Sequence, residues 1–128
     1  MRFKLLLDRI LDDGRFVVIN SSTDGNSPGP EHSALVLSGA FNIPLGTRFT
    51  ELVLKRSVGA NDFVQFKGER VSLKLTEIEF FRAKTDTVPA GHNAAVRLEG
   101  KGMELVCQQL AAKSNGFHVY LVANDTET

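Results

Sequence analysis

Val71-Ser72-Leu73-Lys74-Leu75-Thr76-Glu77-Ile78-Glu79-Phe80-Phe81 is the stretch that decides the fold. Val71, Leu73 and Leu75 alternate with Ser72, Lys74 and Thr76, so one face is apolar and the other polar, as a half-buried strand requires. The phase then slips. Ile78 and Phe80 are apolar where Glu77 and Glu79 are not. A slip of one residue would turn every later side chain to the wrong face, so a β-bulge is expected near Thr76 or Glu77.

The same period recurs on both sides of this strand. Phe3, Leu5 and Leu7 alternate, and Asp12-Asp13-Gly14 ends that run with a turn. Residues 15–19 are a short β-branched run and read as a buried strand. Residues 34–37, 49–55, 63–66 and 117–122 also read as strands, as does the run in which Ala94, Val96 and Leu98 alternate. Phe41-Asn42-Ile43-Pro44-Leu45-Gly46 is a tight connection with Gly46 free to take a positive φ. Val88-Pro89-Ala90-Gly91 is another turn. Residues 21–32 carry two prolines and almost no apolar side chain, and read as a long solvated loop. Only residues 103–113 depart from the β pattern. Met103, Val106 or Cys107, and Leu110 recur at helical spacing before Asn115-Gly116 stops the helix. About seven short strands and one helix indicate an all-β barrel or sandwich, with a closed or nearly closed antiparallel barrel as the expected form. Residues 1–123 form one domain and 124–128 a frayed tail.

Composition narrows the function. The chain has 128 residues, 42% hydrophobic and 23% charged, with 15 basic and 15 acidic side chains. That balance argues against bulk attraction to nucleic acid or an anionic membrane as the source of affinity, though a local basic patch is compatible with it. Cys107 stands alone, so no internal disulfide forms, and a reducing, cytoplasmic setting is expected. On the apolar face of the helix, Cys107 reads as a small buried hydrophobe. The N-terminal apolar run is too short for a secretory signal, and no stretch is long enough to span a membrane. Asn20-Ser21-Ser22 and Asn124-Asp125-Thr126 match the glycan acceptor pattern, but without a secretory signal they read as chance matches.

Catalytic signatures are missing. The Gly-x4-Gly-Lys-Ser/Thr phosphate cradle does not occur, and no nucleophile sits in a recognisable elbow. His32, His92 and His118 lack a short-spaced partner, so no metal site and no cofactor are expected. The basic clusters Lys55-Arg56, residues 67–70, and Arg82 with Lys84 read as solvated edges. The chain is therefore expected to bind rather than catalyse.

Leu75-Thr76-Glu77-Ile78-Glu79-Phe80-Phe81-Arg82, followed by Val88-Pro89-Ala90-Gly91-His92-Asn93-Ala94-Ala95-Val96-Arg97-Leu98, resembles the second domain of translation elongation factor Tu and related translational GTPases. In that family an apolar-Glu-apolar-Phe-Arg stretch precedes Ala-Gly-acidic-Asn and an apolar strand. Residues 3–19 resemble the opening strands of that domain, with Gly14-Arg15 at its Gly-Arg and Asp8 at its acidic residue. Phe41-Asn42-Ile43-Pro44-Leu45-Gly46 resembles its Gly-x-Ile-x-x-Gly turn, with Phe41 where a glycine is usual. The pieces span about residues 3–106 in the right order.

The resemblance implies a six- to seven-stranded antiparallel translation-factor barrel with one short C-terminal helix. It also implies a site. In members that carry aminoacyl-tRNA, the Glu and Arg matching Glu79 and Arg82 help receive the tRNA 3′ end. The Asn matching Asn93 lies near the aminoacyl pocket, and the acidic residue matches Asp8. Leu7 replaces a second carboxylate, and His92 stands where Asp or Glu is usual. The GTPase domain and a third domain are absent, so nucleotide-coupled delivery does not transfer.

The expected function is a stand-alone binding module contacting RNA, whether tRNA or rRNA, or a ribonucleoprotein. The second reading is a protein–protein adaptor using a barrel edge or the 21–32 loop. Inward Ile78 and Phe80 place Glu79 outward. Strict alternation would put Arg82 on the other side, so the two converge only if the strand bends around Phe81.

Overall fold

The computed structural model describes residues 2–22, 41–57, 63–65, 68–112 and 117–124. The strands are β1 (Arg2–Ile10), β2 (Phe16–Asn20), β3 (Ile43–Pro44), β4 (Arg48–Ser57), β5 (Phe63–Gln65), β6 (Glu69–Phe80), β7 (Ala83–Thr85), β8 (Thr87–Val88), β9 (Asn93–Lys101) and β10 (Phe117–Asn124). Helix α1 (Met103–Ala112) lies between β9 and β10.

Six strands close on themselves in the order β4-β10-β1-β2-β9-β6, and the β4–β6 pairing seals the ring. Every pairing is antiparallel. Closure removes most of the free strand edge that an open sheet would present. β5 extends from β4 and β7 from β6, while β3 and β8 form a separate small ladder.

The alternation read from the sequence becomes the interior. Leu5, Leu7, Phe16, Val18, Phe49, Leu73, Leu75, Ile78, Val96, Leu98, Val119 and Leu121 are all buried in one cluster. Helix α1 adds fully buried Val106 to that core, and Met103, Leu105, Cys107 and Leu110 pack against it. Cys107 is only partly buried, because it flanks Val106 rather than sharing its inward direction. Outside the barrel, Val53, Tyr120 and Val122 form a second small cluster with Leu6.

The phase slip in β6 is a register shift between Leu75 and Glu77: Leu75 faces Leu98 and Glu77 faces Arg97, leaving Thr76 as the extra residue. That residue lets Leu75 and Ile78 both point inward. A second shift falls at Asp8, between Leu7 and Arg9 in the pairing of β1 with β2. Gly46 has φ +92, as its turn requires.

Several expectations change. The run 15–19 is not buried on both faces, since β2 alternates and Val17 and Ile19 stay partly exposed. The long strand stops at Phe80 rather than Phe81, because the chain turns there into β7. The 21–32 stretch does not start as a solvated loop: Ser21 and Ser22 are buried. The Ser21 amide donates to the Lys4 carbonyl, and the Lys4 amide donates to Ser22 Oγ. The 124–128 tail does not begin frayed, since Asn124 ends β10 and pairs with Arg2; its residues 125–128, the rest of the 21–32 stretch and the 34–37 strand lie outside the described residues.

Asn20 is a buried junction rather than a glycan acceptor. It is 1% exposed. Its Nδ2 donates to the carbonyls of Phe41 and Val88, both at 2.8 Å. Its Oδ1 accepts the Ser22 amide at 3.0 Å. Both amide hydrogens are thus committed in the folded state.

Candidate functional site

The register sets a row of outward side chains across four strands. Val17 of β2 faces Ala95 of β9, Ala95 faces Glu79 of β6, and Glu79 faces Lys84 of β7. One step toward the rim, Ile19 faces Asn93. Ala95 is a small residue in a strand, where larger β-branched side chains are favoured. The small outward side chain of Ala95, between the bulkier Val17 and the β6 end, leaves room for an open cavity of about 210 Å³. It is lined by Val17, Glu79, Phe80, Phe81, Asn93, Ala94 and Ala95.

Beyond Phe80 the chain reverses in two residues, since Phe80 pairs directly with Ala83. Phe81 and Arg82 form the turn, with φ of 52° and 64°. Positive φ at both central residues is the mark of a type I′ hairpin loop, whose twist matches that of the flanking strands. Phe81 is 83% exposed. Its ring centroid lies 4.3 Å from that of Phe80, which meets the edge of His92 at 5.6 Å.

Charge surrounds the cavity in pairs. The Asp13 carboxylate accepts the Arg15 backbone amide at 3.1 Å and its Nε at 2.8 Å. The backbone amide foremost, with the guanidinium, holds the Asp13 carboxyl below its ordinary 3.8. The same carboxylate raises the Arg15 pKa above its ordinary value. Arg15 Nη1 then lies 3.5 Å from Glu79 Oε1. From the same row Lys84 reaches to the next, where its Nζ stands 3.8 Å from Glu77 Oε1. The negative charge of Glu79 is therefore partly offset by a guanidinium that is itself fixed by Asp13. An anionic ligand approaching the cavity meets less repulsion than a lone carboxylate would produce.

Of the four residues singled out by resemblance, Glu79 and Asn93 come together on this cavity. Arg82 does not line it. It occupies the second turn position, one residue beyond Phe81, and is exposed. Asp8 does not line it either. It is the extra residue of the β1 irregularity, exposed on the far side of β2 from β9. Two contributors were missed: Phe81, which has no turn signature in Phe-Arg, and Arg15, whose approach to Glu79 depends on the β2–β9–β6 order. Only the Gly14-Arg15 turn pattern hinted at the second.

Among the described residues, no group of three or more His, Cys, Asp or Glu side chains could hold a metal ion. No helix among them is long and apolar enough to cross a membrane. Glu79 is the one ionisable side chain in the cavity lining. The site therefore offers one carboxylate acceptor, one carboxamide that both donates and accepts, and aromatic surface.

No match emerges. Comparison with family models, with curated proteins and with solved structures gives none. The fold and the cavity geometry are thus the ground on which a function rests.

Proposed function

We propose that this barrel is a non-catalytic module that binds RNA through the Glu79–Asn93 cavity, taking an unpaired base at the rim. The observation that carries this reading is the convergence of Glu79 and Asn93 with the Phe80–Phe81 rings on one open cavity. Sequence-selective RNA recognition commonly uses splayed-out bases that stack on aromatic rings while their edges hydrogen-bond to side chains. Glu79 accepts from an exocyclic amine, and Asn93 can pair with a neighbouring donor or acceptor. Arg82 stands on the adjacent turn, where a guanidinium can meet the phosphate of the bound nucleotide. The likeness to the translation-factor barrel supports the same assignment and the same two polar residues. A balanced net charge fits a contact made through few phosphates rather than through a broad basic face.

The test is fluorescence anisotropy with a labelled single-stranded RNA oligonucleotide over a range of salt. Binding weakens as salt rises, and Arg82→Ala raises the Kd by about tenfold or more, the scale of one charge-assisted contact. Loss of that contact also lowers the slope of log K against log salt by about 0.7. Equal affinity and equal slope in Arg82→Ala would remove Arg82 from the site.

A further inference from the structure

We infer that the Phe81–Arg82 turn is a ligand-contact tip held at a cost to the fold, with Phe81 as the stacking platform for an unpaired nucleobase. The inference rests on the RNA reading and assigns a residue that the sequence did not suggest.

Two local preferences are broken at one place. Two-residue loops with positive φ at both positions favour Asn-Gly or Asp-Gly, because a Cβ crowds the backbone there. Phe81 and Arg82 occupy both positions instead. A bulky side chain in that region is a strong outlier. Such a conformation is often offset by burying the side chain, yet Phe81 is the most exposed large apolar residue among those described, at 83% against 46% for Ile10. The turn therefore gains neither easy backbone geometry nor much buried surface. Strain kept without a folding gain is characteristic of binding and active sites.

The ring is nonetheless well supported. Phe80 lies behind it at 4.3 Å, and His92 braces Phe80 from the side at 5.6 Å. Phe81 also forms part of the cavity wall beside Glu79 and Asn93. A two-residue turn holds its side chains more narrowly than a long loop does. The tip thus presents an aromatic face with a permanent positive charge on the next residue and hydrogen-bonding groups within the same cavity. A planar base bearing a phosphate matches all three features. An aliphatic peptide side chain would use only the first.

The experiment measures Phe81→Asn, Phe81→Tyr and Glu79→Gln in the full chain, by thermal unfolding and by anisotropy with single-stranded hexamers of adenosine and of uridine. Phe81→Asn places a residue suited to positive φ in the turn, so its Tm rises by about 2–4 °C. Its Kd for the hexamers rises about tenfold or more, the scale of one lost base–aromatic stack. Phe81→Tyr retains affinity, because the flat ring remains. An unchanged Kd in Phe81→Asn while Glu79→Gln weakens binding overturns the platform and leaves the RNA reading in place. A Tm that falls in Phe81→Asn overturns the claim that the fold bears a cost at this turn. Hexamers that fail to bind the unaltered protein overturn both readings together.

Discussion

Replacing Gly100 with alanine is expected to destabilise the barrel by about 2–6 kcal/mol, with contributions from backbone strain and from overpacking. Gly100 pairs with Leu73 where β9 runs beside β6, and its φ of +142 is a conformation that side chains rarely adopt. A Cβ at that position would also drive into the Ser72 carbonyl oxygen. Neither neighbour is a flexible side chain, so relief requires the two strands to separate. Both strands belong to the closed ring, and separating them opens it. The comparison variant is Gly46→Ala. Gly46 also has positive φ, at +92, but a Cβ there meets nothing within 4 Å. Its cost is backbone strain alone, about 1–2 kcal/mol. Urea unfolding of both variants separates the two terms, provided the slope against denaturant stays constant. Equal losses would mean that β9 does not approach β6 this closely.

Asn20→Ala is expected to cost about 3–5 kcal/mol. The substitution removes the bonds that Asn20 makes to the carbonyls of Phe41 and Val88 and from the amide of Ser22, all in a buried setting. Losing a buried hydrogen bond costs about 1–3 kcal/mol, and three are lost together. Some relaxation lowers the sum, because the freed groups sit near chain segments that can shift. Asn20→Asp should be at least as harmful, since a carboxylate oxygen would face the two carbonyls that Nδ2 now serves. The effect also bears on the site. Asn20 holds the end of β2 to Phe41, just before β3, and to Val88 of β8, and its backbone amide donates to the His92 carbonyl, next to Asn93. Urea midpoints measure the loss, and a change below 1 kcal/mol would show that these bonds do not secure the rim.

The barrel was legible because its interior is built by period-two alternation, which sequence displays directly. Even the interruption was visible. Leu75 and Ile78 cannot both face inward unless one residue between them is extra, and the register shift falls there. The helix was equally clear from the spacing around Val106. What periodicity could not show was the role of polar residues inside the fold. Asn20 reads as a turn residue or an acceptor pattern until the chain brings Phe41 and Val88 to it, from 21 and 68 positions away. Ser21 and Ser22 were hidden in the same way.

The site was half legible. Glu79 and Asn93 both came from the likeness to translation-factor barrels, and the phase after the bulge added only that Glu79 faces outward. Phe81 extended an apolar run and so read as strand, although the chain had already turned. Its turn lacks the glycine or asparagine that usually announces a two-residue hairpin. Arg82 and Asp8 matched letters in the same likeness but fall outside the cavity lining, because their side-chain positions depend on that turn and on the irregularity in β1.

The rim formed by the end of β6 and the start of β9 is expected to receive an unpaired base. Backbone amide NMR of the labelled protein, titrated with a single-stranded RNA hexamer, maps this residue by residue. Saturating shifts clustered at Glu79, Phe81, Asn93 and Ala95, and absent from the outer face at Val53 and Tyr120, are the predicted result. Shifts centred on that opposite face, or none at all, would contradict it.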